Sequence, residues 1–186
     1  GDAFQNLNTV AVQCVANADL QPLSHSPGLP DDAFAHDGTI TKREVRAITL
    51  AALAPLPGDM LWDIGAGNGT IAIEWLRVER RAHALAFEKN SVRADRICAN
   101  ALALGVPALQ VIPEHFPLSH DGIEPRPDAI FIGGGLATGD ALIESCLKTL
   151  KPGGRIVANA VTLEAQARLM AAHAAHGGEL VRIAIA

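Results

Sequence analysis

Strand-like and helical segments alternate along this chain from residue 41 onward, and this alternation is the strongest constraint on its fold. The pattern is set by residues 60–64 (MLWDI), a short apolar run followed by three glycines and then by helical periodicity over residues 70–81. A strand that leads through a tight turn into a helix returns to the sheet as a parallel neighbour. The sequence therefore predicts an α/β fold with a doubly wound, mostly parallel sheet and helices on both faces.

The other predicted elements keep the same order. The first helix is predicted to begin at Thr41, because Thr41 and Glu44 form a capping box, and to end before Pro55. Further strands are predicted over residues 83–87, 109–112, 128–132, 155–160 and 180–185, and further helices over residues 91–104, 139–150 and 163–176. A β-prone stretch over residues 8–16 precedes a Pro- and Ser-rich segment, and we expect it to be an arm or an edge strand.

The composition excludes two classes of partner. Fifteen Lys and Arg residues against 20 Asp and Glu residues give a net charge of -5, and no basic run stands out, which argues against nucleic acid. Aromatic residues make up only 4% of the chain and tyrosine is absent, so base-stacking platforms are not expected. No stretch approaches the ~20 apolar residues of a membrane-spanning helix. We expect neither a nucleic-acid nor a membrane partner.

Cysteine usage points to a reducing compartment. The three cysteines, Cys14, Cys98 and Cys146, are odd in number, far apart and without CxxC spacing. No cluster of His, Asp and Glu has metal-ligand spacing. The sequence therefore predicts a cytoplasmic protein that holds no metal.

The first glycine turn carries the clearest sign of a ligand site. In parallel sheets ligands bind beyond the carboxyl ends of the strands, where Asp63 is followed by Gly65, Gly67 and Gly69. Thr70 stands where a dinucleotide fingerprint would have its last glycine. This difference argues against a nicotinamide nucleotide as the ligand. Glu88 ends the second predicted strand, at the position from which a carboxylate can accept hydrogen bonds from the ribose of an adenosine.

These features resemble the class I S-adenosylmethionine-dependent methyltransferases, and residues 127–132 (PDAIFI) and 150–155 (LKPGGR) extend the match. The resemblance implies a Rossmann-like fold, S-adenosyl-L-methionine as cofactor and S-adenosyl-L-homocysteine as product. It places the methionine part on the glycine loop, the ribose on Glu88 and the adenine beside residues 114–116. The implied cofactor-binding residues are Thr41, Asp63, Gly65, Ala66, Gly67, Asn68, Gly69, Glu88, Lys89, His115 and Phe116.

Three further segments narrow the resemblance. Residues 27–46, 131–135 and 159–164 are similar to the decarboxylating precorrin methyltransferases of cobalamin biosynthesis, and in particular to the C-terminal half of their two-domain members. That half methylates carbon 15 of the tetrapyrrole and removes carboxylate from the ring C acetate, whereas the N-terminal half methylates carbon 5. The resemblance implies a precorrin substrate, a preceding carbon-5 methyltransferase domain, and a homo-oligomer such as a tetramer.

The same resemblance implies how the chain is divided. Residues 1–17 are expected to be an arm that resembles the last strand of the preceding domain, residues 18–40 a linker and substrate-access segment, and residues 41–186 the methyltransferase domain. The family's seventh strand has no counterpart in this sequence. We therefore expect the sheet to lack its final strand.

The implied substrate carries many carboxylates, so cations placed near the access segment are expected to meet it. The candidate substrate-binding residues are His36, Arg43, Gly133, Gly134 and Asn159. No catalytic residue is assigned, because an electron-rich tetrapyrrole carbon needs no strong base to become nucleophilic. Two alternatives stay open: a class I methyltransferase that acts on another substrate, and a nicotinamide-nucleotide-binding oxidoreductase or non-catalytic nucleotide-binding module.

Overall fold

One parallel sheet organises the part of the chain that the computed structural model describes, which comprises residues 11–17, 22–116, 123–136 and 141–184. The five strands in these ranges have the order β3-β2-β1-β4-β5. The strands are β1 (Met60–Ile64), β2 (His83–Phe87), β3 (Gln110–Ile112), β4 (Ala129–Ile132) and β5 (Arg155–Ala158). The helices are α1 (Arg43–Leu53), α2 (Thr70–Val78), α3 (Ser91–Ala103), α4 (Ala141–Thr149) and α5 (Leu163–His176), and a short 3-10 helix spans Asp31–Ala33.

Hydrophobic clusters cover both faces of the sheet. Leu61 of β1 packs with residues of α1, α2 and α3, such as Leu50 and Ile97. Its neighbour Trp62 points to the opposite face and packs with Cys146 of α4. Because successive side chains of a strand point to opposite faces, a central strand covered by helices on both sides must be apolar at nearly every position. The predicted doubly wound α/β fold is confirmed.

The strand register brings the loops of the site together. Ile64, the last residue of β1, is paired with Phe87 of β2 on one side and with Ile132 of β4 on the other. These three strands therefore end at the same level. The chain turns to β2 on one side of β1 and later to β4 on the other, so the crossover loops diverge there and leave a crevice.

A buried ionic cluster fixes the segment before α1. Arg46 is fully buried; its Nε donates to Glu74 Oε1 at 2.8 Å and its Nη1 donates to Asp31 Oδ1 at 2.7 Å. The Glu74 carboxylate also accepts hydrogen bonds from the backbone N–H groups of Gly28 and Leu29, at 2.6 and 3.1 Å. A buried charge is tolerated only when it is paired and hydrogen-bonded, as both members are here. The packed part of the domain therefore begins by Gly28.

The predicted helix cap at Thr41 is wrong. Helix α1 begins at Arg43 with Lys42 as its N-cap, and no side chain caps it. The Thr41 carbonyl instead accepts a hydrogen bond from the Arg46 guanidinium. This bond to a buried cation holds Thr41 outside the helix, and a capping box cannot form there.

The predicted strand over residues 180–185 is also wrong within the described residues. Residues 177–184 are exposed and have no strand structure, and Leu180 and Val181 are 52% and 62% exposed. The β-prone stretch over residues 8–16, for which we expect an arm or an edge strand, is exposed and without strand structure over residues 11–16, and its residues 8–10 lie outside the described ranges. An alternating sequence forms a strand only where a sheet edge offers backbone hydrogen bonds.

Candidate functional site

A cavity of about 570 Å³ opens at the carboxyl ends of β1, β2 and β4. Its size is typical of small-molecule sites. The loops after these strands line it, and residues 39–41 and the start of α4 close two of its sides. Its lining residues are Thr39, Ile40, Thr41, Ile64, Gly65, Ala66, Gly67, Asn68, Thr70, Ile71, Phe87, Glu88, Lys89, Arg93, Glu114, His115, Phe116, Phe131, Gly133, Gly134, Gly135, Ala141 and Leu142.

Two glycine loops meet backbone to backbone at the floor of this cavity. Gly65 has φ of +69°, and a Cβ atom there would lie 2.9 Å from the backbone nitrogen of Gly134. The Gly133 N–H donates to the Ile64 carbonyl at 2.9 Å, and the Gly65 N–H donates to the Phe87 carbonyl at 2.9 Å. The loops after β1 and β4 can approach this closely only because Gly65 carries no side chain.

The other two glycines of the first loop have different tasks. Gly67 has φ of +63°, and no atom lies within 4 Å of the place where its Cβ would be, so its backbone is open to the cavity. Gly69 precedes α2, and a Cβ there would lie 2.7 Å from Ile97 Cγ2. Gly67 therefore leaves room for a ligand, whereas Gly69 lets α2 pack closely against α3.

Glu88 holds the glycine loop through its carboxylate. Its Oε2 accepts a hydrogen bond from the Gly67 N–H at 2.8 Å, and its Oε1 accepts one from the Asn90 N–H at 2.9 Å. The side chain is buried but lines the cavity. Each carboxylate oxygen has a second lone pair, so Glu88 can accept ligand hydroxyls while it holds the loop.

Asp63 lies behind the glycine loop and does not line the cavity. Its Oδ2 accepts a hydrogen bond from the Ala72 N–H in the first turn of α2 at 3.1 Å, while its buried Oδ1 has no hydrogen-bond partner among the described residues. Burial, with a smaller contribution from the negative charge of Glu88, raises the pKa of Asp63 from 3.8 to about 7. Near neutral pH this carboxyl group therefore carries a proton part of the time.

Aromatic rings build one wall of the cavity. Phe116 is buried and packs edge-to-face against Phe87, with ring centroids 5.0 Å apart, and against Trp62 at 5.9 Å. The Nδ1–H of His115 donates to the Phe116 carbonyl at 2.9 Å. This wall offers an apolar surface beside the end of β3.

The comparisons with known proteins agree with one another. A family model described as "Precorrin methyltransferase domain" matches residues 32–186. The chain belongs to the precorrin methyltransferase family. It is 48% identical over 97% of its length to a Sinorhizobium protein named precorrin-6Y C(5,15)-methyltransferase [decarboxylating], of which it spans 43%.

Two other relatives cover more of their own length. A Pyrobaculum aerophilum protein named as a probable cobalt-precorrin-6B C(15)-methyltransferase (decarboxylating) is 33% identical over 75% of this chain and 72% of its own. The crystal structure of the C-terminal domain of precorrin-6Y C5,15-methyltransferase from Rhodobacter capsulatus superposes with a TM-score of 0.80. That match has 44% identity and covers 88% of this chain and 86% of the other.

The cavity of this family member gathers most of the residues predicted for the cofactor. Nine of them line it: Thr41, Gly65, Ala66, Gly67, Asn68, Glu88, Lys89, His115 and Phe116. Asp63 and Gly69 do not line it: Asp63 binds the first turn of α2, and Gly69 lets α2 pack against α3.

Only two of the five residues predicted to bind the substrate line the cavity. Gly133 and Gly134 line the cavity, whereas His36, Arg43 and Asn159 do not. Exposed His36 accepts a hydrogen bond from the Gly38 N–H within its own loop, and Asn159 donates to Thr49 Oγ1 at 2.9 Å. Arg43 is exposed at the start of α1. The structure therefore does not bring these three side chains to the site.

Arg93 is the lining cation that the sequence predictions missed. It lies in the first turn of α3, three residues after the Asn90 N-cap, whose side chain accepts a hydrogen bond from the Arg93 N–H at 3.1 Å. Arg96 follows at helical spacing, so both guanidinium groups lie on one face of the helix. That spacing, in the helix that follows β2 and Glu88, is the signal that could have found them.

The described residues contain neither a group of metal ligands nor a membrane-spanning helix. Across residues 11–17, 22–116, 123–136 and 141–184, no group of three or more His, Cys, Asp and Glu side chains could hold a metal ion. In the same ranges no helix is long and apolar enough to span a membrane.

Substitution of Gly65 tests the contact between the two glycine loops. Gly65→Ala should lower the free energy of unfolding by about 2–4 kcal/mol, because it adds a clash with Gly134 to the strain of a positive φ. Gly58→Ala is the matched control, since Gly58 has φ of +85° but open space around its Cβ position. It should cost only about 1 kcal/mol. Equal losses for the two variants in urea unfolding would contradict the account.

Asp63→Asn tests the buried carboxyl through the pH dependence of stability. Because the folded-state pKa is raised from 3.8 to about 7, the native state binds more protons than the unfolded state in that window. The unfolding free energy of the wild type should therefore fall, relative to Asp63→Asn, as the pH rises from about 4 to about 7, by at most about 1.4 kcal/mol per pH unit. Parallel pH profiles would show that Asp63 does not titrate in this way.

Proposed function

We propose that this chain transfers a methyl group from S-adenosyl-L-methionine to carbon 15 of a precorrin and promotes decarboxylation of the ring C acetate, a step of cobalamin biosynthesis. The observation that carries the proposal is the meeting, in one cavity, of the open glycine loop, Glu88 and the loop at residues 133–135. The names of the relatives at 48% and 33% identity support the same activity.

The cavity fits the cofactor by the chemistry of its lining. The open backbone at Gly67 offers room for the polar methionine end, and the N-terminus of α2 behind it attracts a carboxylate. The second lone pairs of the Glu88 carboxylate suit the two ribose hydroxyls. The wall at His115 and Phe116 suits the adenine. Thr41, Ala66, Asn68 and Lys89 complete the set of residues that we assign to the cofactor.

The chain acts on the methyl transfer mainly by positioning. S-adenosyl-L-methionine supplies an activated methyl group, and the carbon that receives it belongs to an electron-rich conjugated system, so no side chain has to remove a proton first. Correct orientation of two bound reactants can lower a barrier by up to about 7–11 kcal/mol. Gly133 and Gly134 have no side chains, and they leave the macrocycle access to the reacting end of the cavity.

Decarboxylation follows from the chemistry of the methylated ring. The new bond to carbon 15 leaves the conjugated system short of electrons. When the ring C acetate loses carbon dioxide, the electron pair of the broken carbon–carbon bond enters that system and forms an exocyclic double bond to the side-chain carbon. Uptake of a proton by that carbon and loss of a proton from elsewhere on the macrocycle then leave a methyl group and a neutral ring system. The macrocycle is therefore its own electron acceptor, and no further cofactor is required.

The wider organisation belongs to the same proposal. The 43% coverage of the Sinorhizobium relative supports a longer protein in which residues 1–17 are an arm of a preceding carbon-5 methyltransferase domain, and residues 18–40 join that domain to this one. From Gly28 onward the joining segment is packed on the methyltransferase domain. Free Cys14, Cys98 and Cys146 suit a cytoplasmic setting. Exposed apolar side chains on α5, such as Met170 at 62% exposure, support a homo-oligomer such as a tetramer.

Glu88→Ala tests the cofactor site. It should weaken the binding of S-adenosyl-L-homocysteine by about 1–3 kcal/mol, because the charge-assisted bonds to the ribose are lost. Titration calorimetry measures this loss. Glu79→Ala is the control that should bind normally, because Glu79 follows α2 at the amino ends of the strands, opposite the cavity. Unchanged affinity in Glu88→Ala would remove Glu88 from the site. Tight binding of NAD without any binding of S-adenosyl-L-homocysteine would support an oxidoreductase instead.

A further inference from the structure

We propose that Arg93 and Arg96 bind a carboxylate of the tetrapyrrole substrate, at the place that the Asp37 carboxylate occupies in the structure. The proposal rests on the proposed function, since that function supplies a substrate with many carboxylates. It assigns two residues of α3 to substrate binding and one acidic residue of the access segment to competition with the substrate.

The geometry is that of a carboxylate held between two cations. Asp37 Oδ2 accepts a hydrogen bond from Arg93 Nε at 2.8 Å and lies 3.4 Å from Arg96 Nη1. The Arg93 guanidinium beside Asp37 also holds the pKa of that carboxyl well below its usual range, so Asp37 is an anion at neutral pH. The structure thus displays how an acid group is bound at this rim of the cavity.

The two arginines have more positive charge and more N–H donors than the Asp37 carboxylate uses. One carboxylate oxygen faces two guanidinium groups, so one positive charge is left over within this cluster. Among the described residues, the two terminal amino nitrogens of Arg93 have no hydrogen-bond partner, although Arg93 lines the cavity. Arginine binds a carboxylate best through two parallel N–H donors, an arrangement that Asp37 does not use.

Arg96 is oriented toward this place by a second contact. Its Nη1 donates to Asn68 Oδ1 at 2.8 Å, and Asn68 belongs to the glycine loop that lines the cavity. The guanidinium is therefore held in position whether or not Asp37 is bound. Preorganised donors of this kind lower the cost of binding a ligand anion.

The Asp37 side chain can move away from the two arginines while the rest of the access segment keeps its contacts. On one side of it, Ala35 exchanges two hydrogen bonds with the Asn100 side chain, at 2.8 and 3.0 Å. On the other side, the Thr39 carbonyl accepts a hydrogen bond from Asn68 Nδ2 at 2.7 Å. Between these anchors Asp37 and Gly38 are exposed, and the position of a Gly38 Cβ has nothing within 4 Å. The turn that carries Asp37 has room to move aside.

The charged side chains that line the cavity cancel one another, so the lining as a whole does not attract an anion. Lys89 and Arg93 are balanced along its lining by Glu88 and Glu114. Binding of a polycarboxylate must therefore depend on particular guanidinium groups rather than on the field of the whole protein. Arg93 and Arg96 are the pair that already holds a carboxylate there.

The experiment compares substitutions that should have opposite effects. Asp37→Asn removes the competing anion and should lower the KM for the carbon-5-methylated tetrapyrrole by about two- to fivefold, the range expected for a partly exposed ion pair. Arg93→Gln should raise this KM by about 10- to 100-fold, because it removes a charge-assisted contact. In both variants kcat and the affinity for S-adenosyl-L-homocysteine should change by less than about threefold, since neither contact is specific to the transition state.

Two matched controls separate this effect from a general change of charge. Asp95→Asn changes the same charge at an exposed position of α3, and Arg80→Gln removes an exposed arginine beyond α2. Both should leave KM unchanged.

The outcomes discriminate between the proposals. An increase in KM for Asp37→Asn, or an equal decrease for Asp95→Asn, would overturn the competition between Asp37 and the substrate. An unchanged KM for Arg93→Gln would overturn the carboxylate site. A wild-type chain that binds S-adenosyl-L-homocysteine but methylates no tetrapyrrole would refute the proposed function itself, and this proposal with it.

Discussion

The backbone contact between Gly65 and Gly134 is the constraint on which the rest of the site depends. A Cβ at Gly65 would lie 2.9 Å from the Gly134 nitrogen, so the loops after β1 and β4 lie this close only because residue 65 has no side chain. This contact sets the floor of the cavity at the point where the crossovers diverge. On the other side of the first loop, the Glu88 carboxylate accepts a hydrogen bond from the Gly67 N–H at 2.8 Å. The groups that we assign to the cofactor therefore lie on a loop that is held from both sides.

A second set of contacts supplies the remaining wall. The buried pair of Arg46 and Glu74 fixes residues 28–31 and also binds the Thr41 carbonyl. Asn68 and Asn100 then hold residues 35–39 against the glycine loop and α3. The access segment is therefore anchored at several points, and Asp37 lies in an exposed turn between two of them. In our proposal, the anchored residues of this segment border the cofactor, and the exposed turn at Asp37 borders the substrate.

Features that depend on neighbouring residues could be predicted from the sequence, and features that depend on contacts between distant residues could not. The central strand was predictable because β1 is buried at every position and apolar at all of them except Asp63, and the glycine loop was predictable because its three glycines follow that strand directly. The cap at Thr41 failed because the Arg46 guanidinium, which is buried by its pairing with distant Glu74, binds the Thr41 carbonyl. The strand over residues 180–185 failed because a strand needs a neighbour. His36, Arg43 and Asn159 were chosen by their position in the sequence, which does not determine whether a side chain lines the cavity. Arg93 was missed because it is part of a helix.

The most direct test of the account is to incubate the chain with the carbon-5-methylated tetrapyrrole and S-adenosyl-L-methionine that carries a ¹³C-labelled methyl group. The account predicts the label on carbon 15, located by NMR, and one carbon dioxide released from the ring C acetate for each methyl group transferred. A label on any other atom would contradict it. Carbon dioxide released from a substrate that has not been methylated would contradict the role of the ring as electron acceptor.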